Sequence, residues 1–210
     1  MVFDLDGTLV DSWVVHRYCL RQAAAAAGLE EPSAARIATA QRATDVATLR
    51  ALVGEERLGT ALPVYGRALR EALLRRPVPA MPGARAAVER LREGAWVLGV
   101  CTGRSREDAQ ALLDASGLAV GLTVAREDAP RPKPAPDGLA RALRLLGLTA
   151  DEALYVGDST VDAQQGRAAG IRTLLVGPHG AVLSGVPAPD SATWIAGLRD
   201  LPTLLRKELR

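Results

Sequence analysis

Two carboxylates one residue apart, Asp4 and Asp6, stand near the start of the chain. They follow the apolar run Met1–Phe3 and precede Gly7. Alternate side chains of an extended chain point the same way, so both carboxylates are predicted on one side of a strand end, and the glycine allows a sharp turn after them. Like charges held together and partly out of water are costly, and a hard cation such as Mg²⁺ relieves that cost. The alternative interpretation is an ordinary turn, since Asp and Gly are common turn residues.

Polar residues also follow three later segments predicted to be strands, namely Thr102 and Gly103 after residues 96–101, Lys133 after 120–125, and Asp158 with Asp162 after 153–156. Ligands of an open parallel sheet bind at the carboxyl ends of its strands, so these side chains are predicted to meet the first two acids there. Each has a plainer interpretation: Thr102 as a helix cap, Lys133 as a solvated lysine, and the later acids as helix-start residues facing the dipole. Lys133 is nevertheless one of two lysines in an arginine-rich chain.

This set of groups suits phosphoryl transfer, which needs charge stabilisation, a nucleophile and an acid for the leaving oxygen. One carboxylate can attack to give an aspartyl phosphate, and a second carboxyl can protonate the leaving alcohol and then activate water. Asp4 and Asp158 are predicted to hold Mg²⁺, Lys133 to offset the remaining negative charge, and Thr102 with nearby backbone amides to bind phosphate oxygens. These residues alone leave open whether Asp4 or Asp6 attacks.

The elements that must position these residues change character near residue 78. Residues 14–78 carry helical periodicity without a convincing strand, with helices predicted from 14, at 45–53 behind the N-cap Thr44, and at about 55–75. From residue 84 onward, predicted helices and strands alternate up to a final strand at 171–176, which is typical of a parallel sheet with crossover helices. A loop-rich segment from 177 to 189 and a helix at about 198–209 are predicted to follow.

The pattern therefore predicts an α/β fold with an inserted domain. Residues 1–13 and 79–210 are predicted to form a Rossmann-like parallel sheet core. Residues 14–78 are predicted to form a helical bundle inserted into that core.

Composition and charge narrow the possible function classes. Of 210 residues, 48% are hydrophobic and 24% charged, as in ordinary soluble globular proteins. The formal net charge of +2 gives no indication of a nucleic-acid or membrane partner. Cys19 and Cys101 lie in apolar segments and are predicted to be buried free thiols in a reducing compartment. With no signal peptide or membrane-spanning run recognised, a cytoplasmic protein is expected.

Four segments resemble, in order and spacing, the motifs of the haloacid dehalogenase superfamily: Asp4-Leu5-Asp6-Gly7-Thr8, Thr102, Lys133-Pro134 and Gly157-Asp158-Ser159-Thr160-Val161-Asp162. The resemblance covers essentially the whole chain. It implies that Asp4 is the nucleophile and Asp6 the acid/base. It also implies that Mg²⁺ is bound by Asp4, the main-chain carbonyl of Asp6 and Asp158, with Asp162 orienting the metal waters or Lys133. Residues 14–78 would then be the helical cap domain found in this superfamily.

Within the superfamily, the chain most resembles phosphoglycolate phosphatase-like enzymes. Asp6 argues against true dehalogenases and phosphonoacetaldehyde hydrolases, whose motifs lack an Asp there. β-Phosphoglucomutases are the alternative, since His16 stands at the spacing of a histidine that these mutases carry. His16 is interpreted either as a helix-surface or hinge residue or as a switch that gates Asp6. The cap has no lysine, whereas the mutases use cap Lys and Arg for a second phosphate, so hydrolysis is favoured. A receiver-like phosphorylation switch does not fit the inserted helices.

The remaining candidates concern substrate binding. A small phosphorylated substrate is expected to meet Thr102, Gly103 and Lys133, with Arg104 or Arg131 near a substrate carboxylate and His16 as a further contact. Cys101 is interpreted as a packing residue and His179 as a loop residue. A monomer or weak dimer is expected, and the substrate itself is left open.

Overall fold

Six parallel strands form the sheet of this protein, whose computed structural model describes residues 1–177 and 192–208. The strands are β1 (Val2–Phe3), β2 (Gly99–Cys101), β3 (Leu122–Val124), β4 (Leu154–Gly157), β5 (Arg172–Val176) and β6 (Ala192–Ile195). They lie in the order β3-β2-β1-β4-β5-β6, and every neighbouring pair is parallel. The prediction of an α/β fold with a Rossmann-like parallel sheet is confirmed.

The two-residue strand β1 lies in the middle of the sheet, between β2 and β4. Val2 and Phe3 are fully buried and belong to apolar clusters on opposite faces, because successive side chains of a strand point to opposite sides. The amide of Asp4 donates a hydrogen bond to the carbonyl of Val156 at 2.8 Å. Asp4 therefore leaves the sheet at its carboxyl edge, beside the end of β4.

Four helices lie within residues 13–75, and they are α1 (Trp13–Ala26), α2 (Ala34–Ala40), α3 (Asp45–Val53) and α4 (Glu55–Arg75). α4 packs against α1 and α3, and α2 packs against α3. Thr44 caps α3 as predicted, its side chain accepting a hydrogen bond from the amide of Ala47. The sequence pattern missed α2, because seven residues with two buried side chains, Ile37 and Ala40, are too few for a clear period.

The chain passes between the sheet and these helices twice, at residues 10–13 and 76–83. The two passages lie side by side: the amide of Asp11 donates to the carbonyl of Pro79 at 2.9 Å, and that of Met81 donates to Leu9 at 2.8 Å. The domain bounds expected from the sequence fall in these passages. The division into a core and a cap stays a prediction.

Further helices cover both faces of the sheet, namely α5 (Ala84–Glu93), α6 (Arg106–Ser116), α7 (Asp137–Leu146), α8 (Thr160–Ala168) and α9 (Leu201–Glu208). One apolar cluster joins Phe3 and Val156 to α5, α6 and side chains of α1, α3 and α4. The other joins Val2 and Tyr155 to α7. Burial on both faces is usual for parallel sheets and explains the apolar character of these strands.

Three strand predictions differ from the structure. β2 begins at Gly99 and not at residue 96, since Ala95 has a positive φ of 61° and Val97 is 51% exposed. β3 spans residues 122–124 and is shorter than the predicted 120–125. β5 is not the final strand, because β6 pairs with it; within β6 only Ile195 is fully buried, which leaves a weak sequence signal.

Three further sequence expectations concern the two cysteines, the segment after residue 177 and membrane-spanning helices. Cys19 and Cys101 are buried and free, as predicted. His179 lies outside the described residues. Of the loop predicted at 177–189, the structure describes only residue 177. Among residues 1–177 and 192–208, no helix is both long enough and apolar enough to cross a bilayer.

Candidate active site

Three acids and one lysine meet at the carboxyl edge of the sheet. Asp4 follows β1, Asp158 follows β4, and Asp162 lies in the first turn of α8, while Lys133 comes from the loop before α7. One carboxylate oxygen from each of the three acids lies within 4.8 Å of the other two. The structure thus brings together residues from both ends of the chain.

The Lys133 ammonium lies inside this acid group and is not solvated. Its Nζ donates hydrogen bonds to Oδ1 of Asp4 at 2.5 Å and Oδ1 of Asp162 at 2.8 Å. Burial alone would lower the pKa of Lys133, but the two carboxylates raise it well above its ordinary value. Lys133 therefore stays protonated, and the surface interpretation of this lysine is wrong.

With all three carboxyls ionised, the acid group would carry more negative charge than Lys133 neutralises. Burial raises the pKa of Asp4 to about 7, an effect that Lys133 partly offsets and Asp162 increases. Burial raises the pKa of Asp158 to about 8, and repulsion from Asp4 and Asp162 adds to it. Carboxylates whose negative charge is disfavoured by burial and by mutual repulsion are suited to binding a hard divalent cation. These residues therefore fit a divalent cation held by Asp4 and Asp158, with Asp162 beside it.

Gly7 is required next to this acid group. Its φ is +78°, and a Cβ atom at this position would lie only 2.1 Å from Oδ2 of Asp158. A side chain here would push Asp158 away from Asp4, which explains the glycine that follows the two early acids.

Asp162 has a second role at the start of α8. Its carboxylate accepts from the amide and hydroxyl of Ser159, whose hydroxyl in turn accepts from the Asp162 amide. Burial would raise the pKa of Asp162, but Lys133 and the hydroxyls of Ser159 and Tyr155 lower it. The helix-start interpretation is therefore correct, and the same carboxylate also holds Lys133.

The Asp6 carboxylate points to a different partner, Arg104. Nε of Arg104 lies 2.9 Å from Oδ2 of Asp6 and Nη2 lies 2.7 Å from Oδ1, while Ser12 also donates to Asp6. Burial would raise the pKa of Asp6, but Arg104 and Ser12 lower it. The Asp6 carboxylate is thus paired with Arg104 and Ser12 and is not one of the three acids grouped around Lys133.

Arg104 also binds the inserted helices. Its Nη1 donates to the hydroxyl of Tyr65 in α4 and lies 3.3 Å from Oδ1 of Asp45 in α3. Arg104 is 3% exposed, so the structure places it in a buried network and not at the rim where a substrate carboxylate was expected. Burial raises the pKa of Asp45 to about 6, although Arg104 opposes this.

His16 belongs to the same network. Its Nδ1 lies 2.7 Å from the hydroxyl of Tyr65 and its Nε2 lies 3.2 Å from Oε1 of Gln41. The ring is buried, and burial with the nearby Arg104 lowers its pKa to about 4. The helix-surface interpretation of His16 is therefore wrong, and the imidazole is neutral at physiological pH.

A pocket of about 270 Å³ opens beside Lys133, between the sheet edge and the start of α3. Thr102, Gly103 and Lys133 line it on the core side, and Thr44 lines it from the insertion. A Cβ atom on Gly103 would lie 2.0 Å from the carbonyl oxygen of Ala43, so this glycine lets the insertion dock.

The structure gives simpler roles to two other sequence candidates, Cys101 and Arg131. Burial raises the pKa of the Cys101 thiol to about 11, which agrees with a packing role. Arg131 lines the pocket, but its exposed guanidinium pairs with Asp137 at 2.9 Å.

Sequence reasoning missed several residues of the site, namely Ser12, Asp45, Tyr65 and Tyr155. In the sequence, Tyr155 lies within the strand predicted at 153–156, and Asp45 is the first residue of the helix predicted at 45–53. Their polar groups reach the site through contacts between distant segments, which no local pattern reveals.

A buried lysine among carboxylates, at the carboxyl edge of a parallel sheet with inserted helices, defines a site suited to carboxylate-dependent phosphoryl transfer. The sequence profile described as haloacid dehalogenase-like hydrolase matches residues 1–176. The chain therefore belongs to the haloacid dehalogenase-like hydrolase family, and the prediction of a phosphatase of this family is confirmed.

Known proteins agree with this assignment. A relative from Rhodospirillum rubrum, named phosphoglycolate phosphatase, is 32% identical over 188 residues, which cover 84% of this chain and 78% of that protein. A Haemophilus somnus structure, called a predicted phosphoglycolate phosphatase, has a TM-score of 0.82 at 20% identity, covering 97% of this chain and 96% of that one. A β-phosphoglucomutase from Clostridium difficile has a TM-score of 0.79 at 13% identity, covering 99% and 94%. At such identities the two structures show the fold alone.

We expect Arg104→Met to destabilise the protein strongly, because Asp6 and Asp45 would be left near each other without their counter-charge. Breaking a buried ion pair typically costs about 3–5 kcal/mol. Because Asp6 is partly exposed, we expect the free energy of unfolding to fall by about 3 kcal/mol, the lower end of that range. Urea unfolding measures this difference in the free energy of unfolding.

Arg70→Met is the matched control, since Arg70 forms an exposed pair with Glu107 and should cost less than about 1 kcal/mol. Equal losses in the two variants would show that the Arg104 network contributes no more than a surface pair.

We also expect a divalent cation to stabilise the protein more at alkaline than at acidic pH. Without a cation, the pKa values of Asp4 (about 7) and Asp158 (about 8) exceed the value near 4 of an unfolded Asp. The folded state then binds more protons than the unfolded state, so the contribution of these carboxyls to the free energy of unfolding falls as the pH rises from about 4 to about 8. A cation competes with those protons, and its stabilising effect should grow between about pH 5 and about pH 8.5.

Melting temperatures with and without Mg²⁺ measure this gain. Asp158→Asn should lose most of it, whereas Asp11→Asn, a change at an exposed acid outside the group, should keep it. An equal gain at both pH values would contradict the placement of the cation among these carboxylates.

Proposed function

We propose that this chain is a Mg²⁺-dependent phosphomonoester hydrolase that acts on a small phosphorylated metabolite through an aspartyl-phosphate intermediate, in the manner of a phosphoglycolate phosphatase. The observation that carries the proposal is the Lys133 ammonium held between Asp4 and Asp162 beside Asp158. Membership of a hydrolase family and the relative named phosphoglycolate phosphatase support it.

Asp4 is the nucleophile in this proposal. Its backbone is fixed by the hydrogen bond to Val156, and Lys133 holds one carboxylate oxygen. A carboxylate oxygen of Asp4 attacks phosphorus while the bond from phosphorus to the leaving alcohol oxygen breaks. The resulting acyl phosphate is hydrolysed when water attacks phosphorus, which releases phosphate and restores the Asp4 carboxylate.

Asp6 is the general acid and base. It gives a proton to the leaving oxygen in the first step and takes one from the attacking water in the second. The pairing with Arg104 favours the charged carboxylate of Asp6, which is the form that the second step needs. Donation in the first step needs the protonated form, so the pair with Arg104 has to loosen when substrate binds.

Asp4, Asp158 and the main-chain carbonyl of Asp6 would hold Mg²⁺, with Asp162 beside them. When bound, this ion supplies positive charge that lowers the repulsion between the phosphoryl oxygens and the attacking carboxylate. The Lys133 ammonium adds a second positive charge from the protein itself.

In this proposal, Thr102 and Gly103, which line the pocket beside Lys133, bind phosphate oxygens. The Thr102 hydroxyl accepts a hydrogen bond from the amide of Arg104 at 3.2 Å, which leaves its own proton available to a phosphate oxygen. The adjoining pocket of about 270 Å³ is slightly smaller than typical ligand pockets, which range over about 300–1,000 Å³. Its size supports a substrate of few atoms.

A sugar-phosphate mutase like β-phosphoglucomutase is the second candidate, favoured by the buried His16 in contact with Tyr65 of the Asp6–Arg104 network. The two lysines of the chain are Lys133 and Lys207, so no lysine of residues 14–78 is available to a second phosphate. This absence favours hydrolysis.

We expect Asp4→Asn to abolish turnover and Asp6→Asn to slow it by about 10²–10⁴-fold, the usual contribution of a general acid–base group. Both variants should stay folded, because Asn has the shape of Asp. Phosphate release from p-nitrophenyl phosphate, with circular dichroism as the folding check, measures both effects.

Asp11→Asn is the matched control and should keep full activity. Near-normal turnover by Asp4→Asn would refute the nucleophile assignment.

A panel of phosphoglycolate, sugar phosphates, nucleotides and pyrophosphate tests the substrate class. We expect stoichiometric phosphate release with the highest kcat/KM on a small monoester. Isomerisation of a sugar phosphate with only slow phosphate release would favour the mutase.

A further inference from the structure

The hydroxyl of Tyr155 lies directly against the charged groups of the site, although its ring belongs to the buried face of the sheet. Tyr155 is fully buried in β4 and packs in the cluster that contains Val2 and Leu139. Its hydroxyl oxygen accepts a hydrogen bond from Nζ of Lys133 at 2.8 Å and donates to Oδ1 of Asp162 at 2.6 Å. Both hydrogen-bonding directions of this hydroxyl are therefore used by the site.

The Lys133 ammonium has three N–H donors, and the structure shows three acceptors around it. These are Oδ1 of Asp4, Oδ1 of Asp162 and the Tyr155 hydroxyl. The tyrosine is the one neutral acceptor of the three, and it approaches from the sheet. Together the three contacts fix the end of a side chain that is otherwise flexible.

The ring of Tyr155 contributes packing rather than a contact with the charge. Nζ of Lys133 lies 2.8 Å from the hydroxyl oxygen and 5.5 Å from the ring centroid, so the ammonium meets the hydroxyl end of the ring and not its face. A phenylalanine could fill the same space in the apolar cluster, so packing alone does not explain the hydroxyl. The two polar contacts of that hydroxyl do.

We propose that Tyr155 is a positioning residue, which acts through Lys133 by holding its ammonium between Asp4 and Asp162, where it meets the phosphoryl group. This role rests on the proposed function. Without the hydroxyl, one N–H of the ammonium loses its partner and the ammonium is no longer fixed from the sheet side.

Tyr155→Phe tests this directly, with Tyr18→Phe on the exposed side of α1 as the matched control. Because the chain contains only Lys133 and Lys207, lysine-selective ¹⁵N labelling gives two ammonium signals, so that of Lys133 can be followed by itself. We expect hydrogen exchange between the Lys133 ammonium and water to be at least about tenfold faster in Tyr155→Phe than in the wild type, as expected when a hydrogen-bond partner is lost. Tyr18→Phe should leave this exchange unchanged.

Steady-state kinetics on a phosphomonoester provides the second measurement. We expect kcat of Tyr155→Phe to fall about tenfold with a smaller change in KM, since the ammonium acts most on the charge of the transition state. An unchanged exchange rate of Lys133, or a faster exchange with wild-type kcat, would overturn the positioning role.

The exchange measurement needs no substrate. If the protein turns over no phosphomonoester, this measurement still shows whether Tyr155 holds the Lys133 ammonium. A nuclear Overhauser effect between the Lys133 ammonium and the Tyr155 ring in the wild-type protein needs no variant, so it keeps the test valid if Tyr155→Phe does not fold. Its absence would equally overturn the proposal.

Discussion

The buried ion pairs of Lys133 are the interaction on which the rest of the site depends. Removing an ammonium or a carboxylate from water costs several kcal/mol, and only well-placed opposite charges and hydrogen bonds offset that cost. Here Asp4 and Asp162 supply the charges, and Tyr155 supplies a third acceptor. The parallel sheet makes this possible, because β1 and β4 are neighbours and end at the same edge. The central place of the short strand β1 follows from the same requirement.

A second buried network joins the inserted helices to the same edge. Arg104 binds Asp6 on the core side and Asp45 with Tyr65 on the insertion side. The orientation of the proposed acid/base therefore depends on where α3 and α4 lie. The carbonyl of Ala43 fits closely against Gly103, so the pocket beside Lys133 is formed by both parts of the chain.

The sequence was sufficient to predict the fold class and the four charged residues at the sheet edge. This worked because the rule is topological: side chains that follow parallel strands share one edge, whatever their separation along the chain. Helix caps such as Thr44 are local and were equally predictable. β6 was missed, because a four-residue strand with one buried side chain, Ile195, carries too little pattern.

The partners of Arg104, His16 and Tyr155 could not be predicted for a different reason. Each partner lies far away in the chain, and the contact depends on how two elements dock. A buried arginine and a surface arginine have the same sequence signature until the acids beside them are known. The hydroxyl of a strand tyrosine is likewise invisible to an apolar pattern.

Trapping the covalent intermediate tests the central claim most directly, because it identifies the attacking atom. Enzyme mixed with substrate and Mg²⁺, quenched rapidly and reduced with borohydride, converts an aspartyl phosphate into homoserine, which peptide mass spectrometry locates. The account predicts homoserine at Asp4. Homoserine at Asp6 or at another acid, or no reduced residue during rapid turnover, would contradict it.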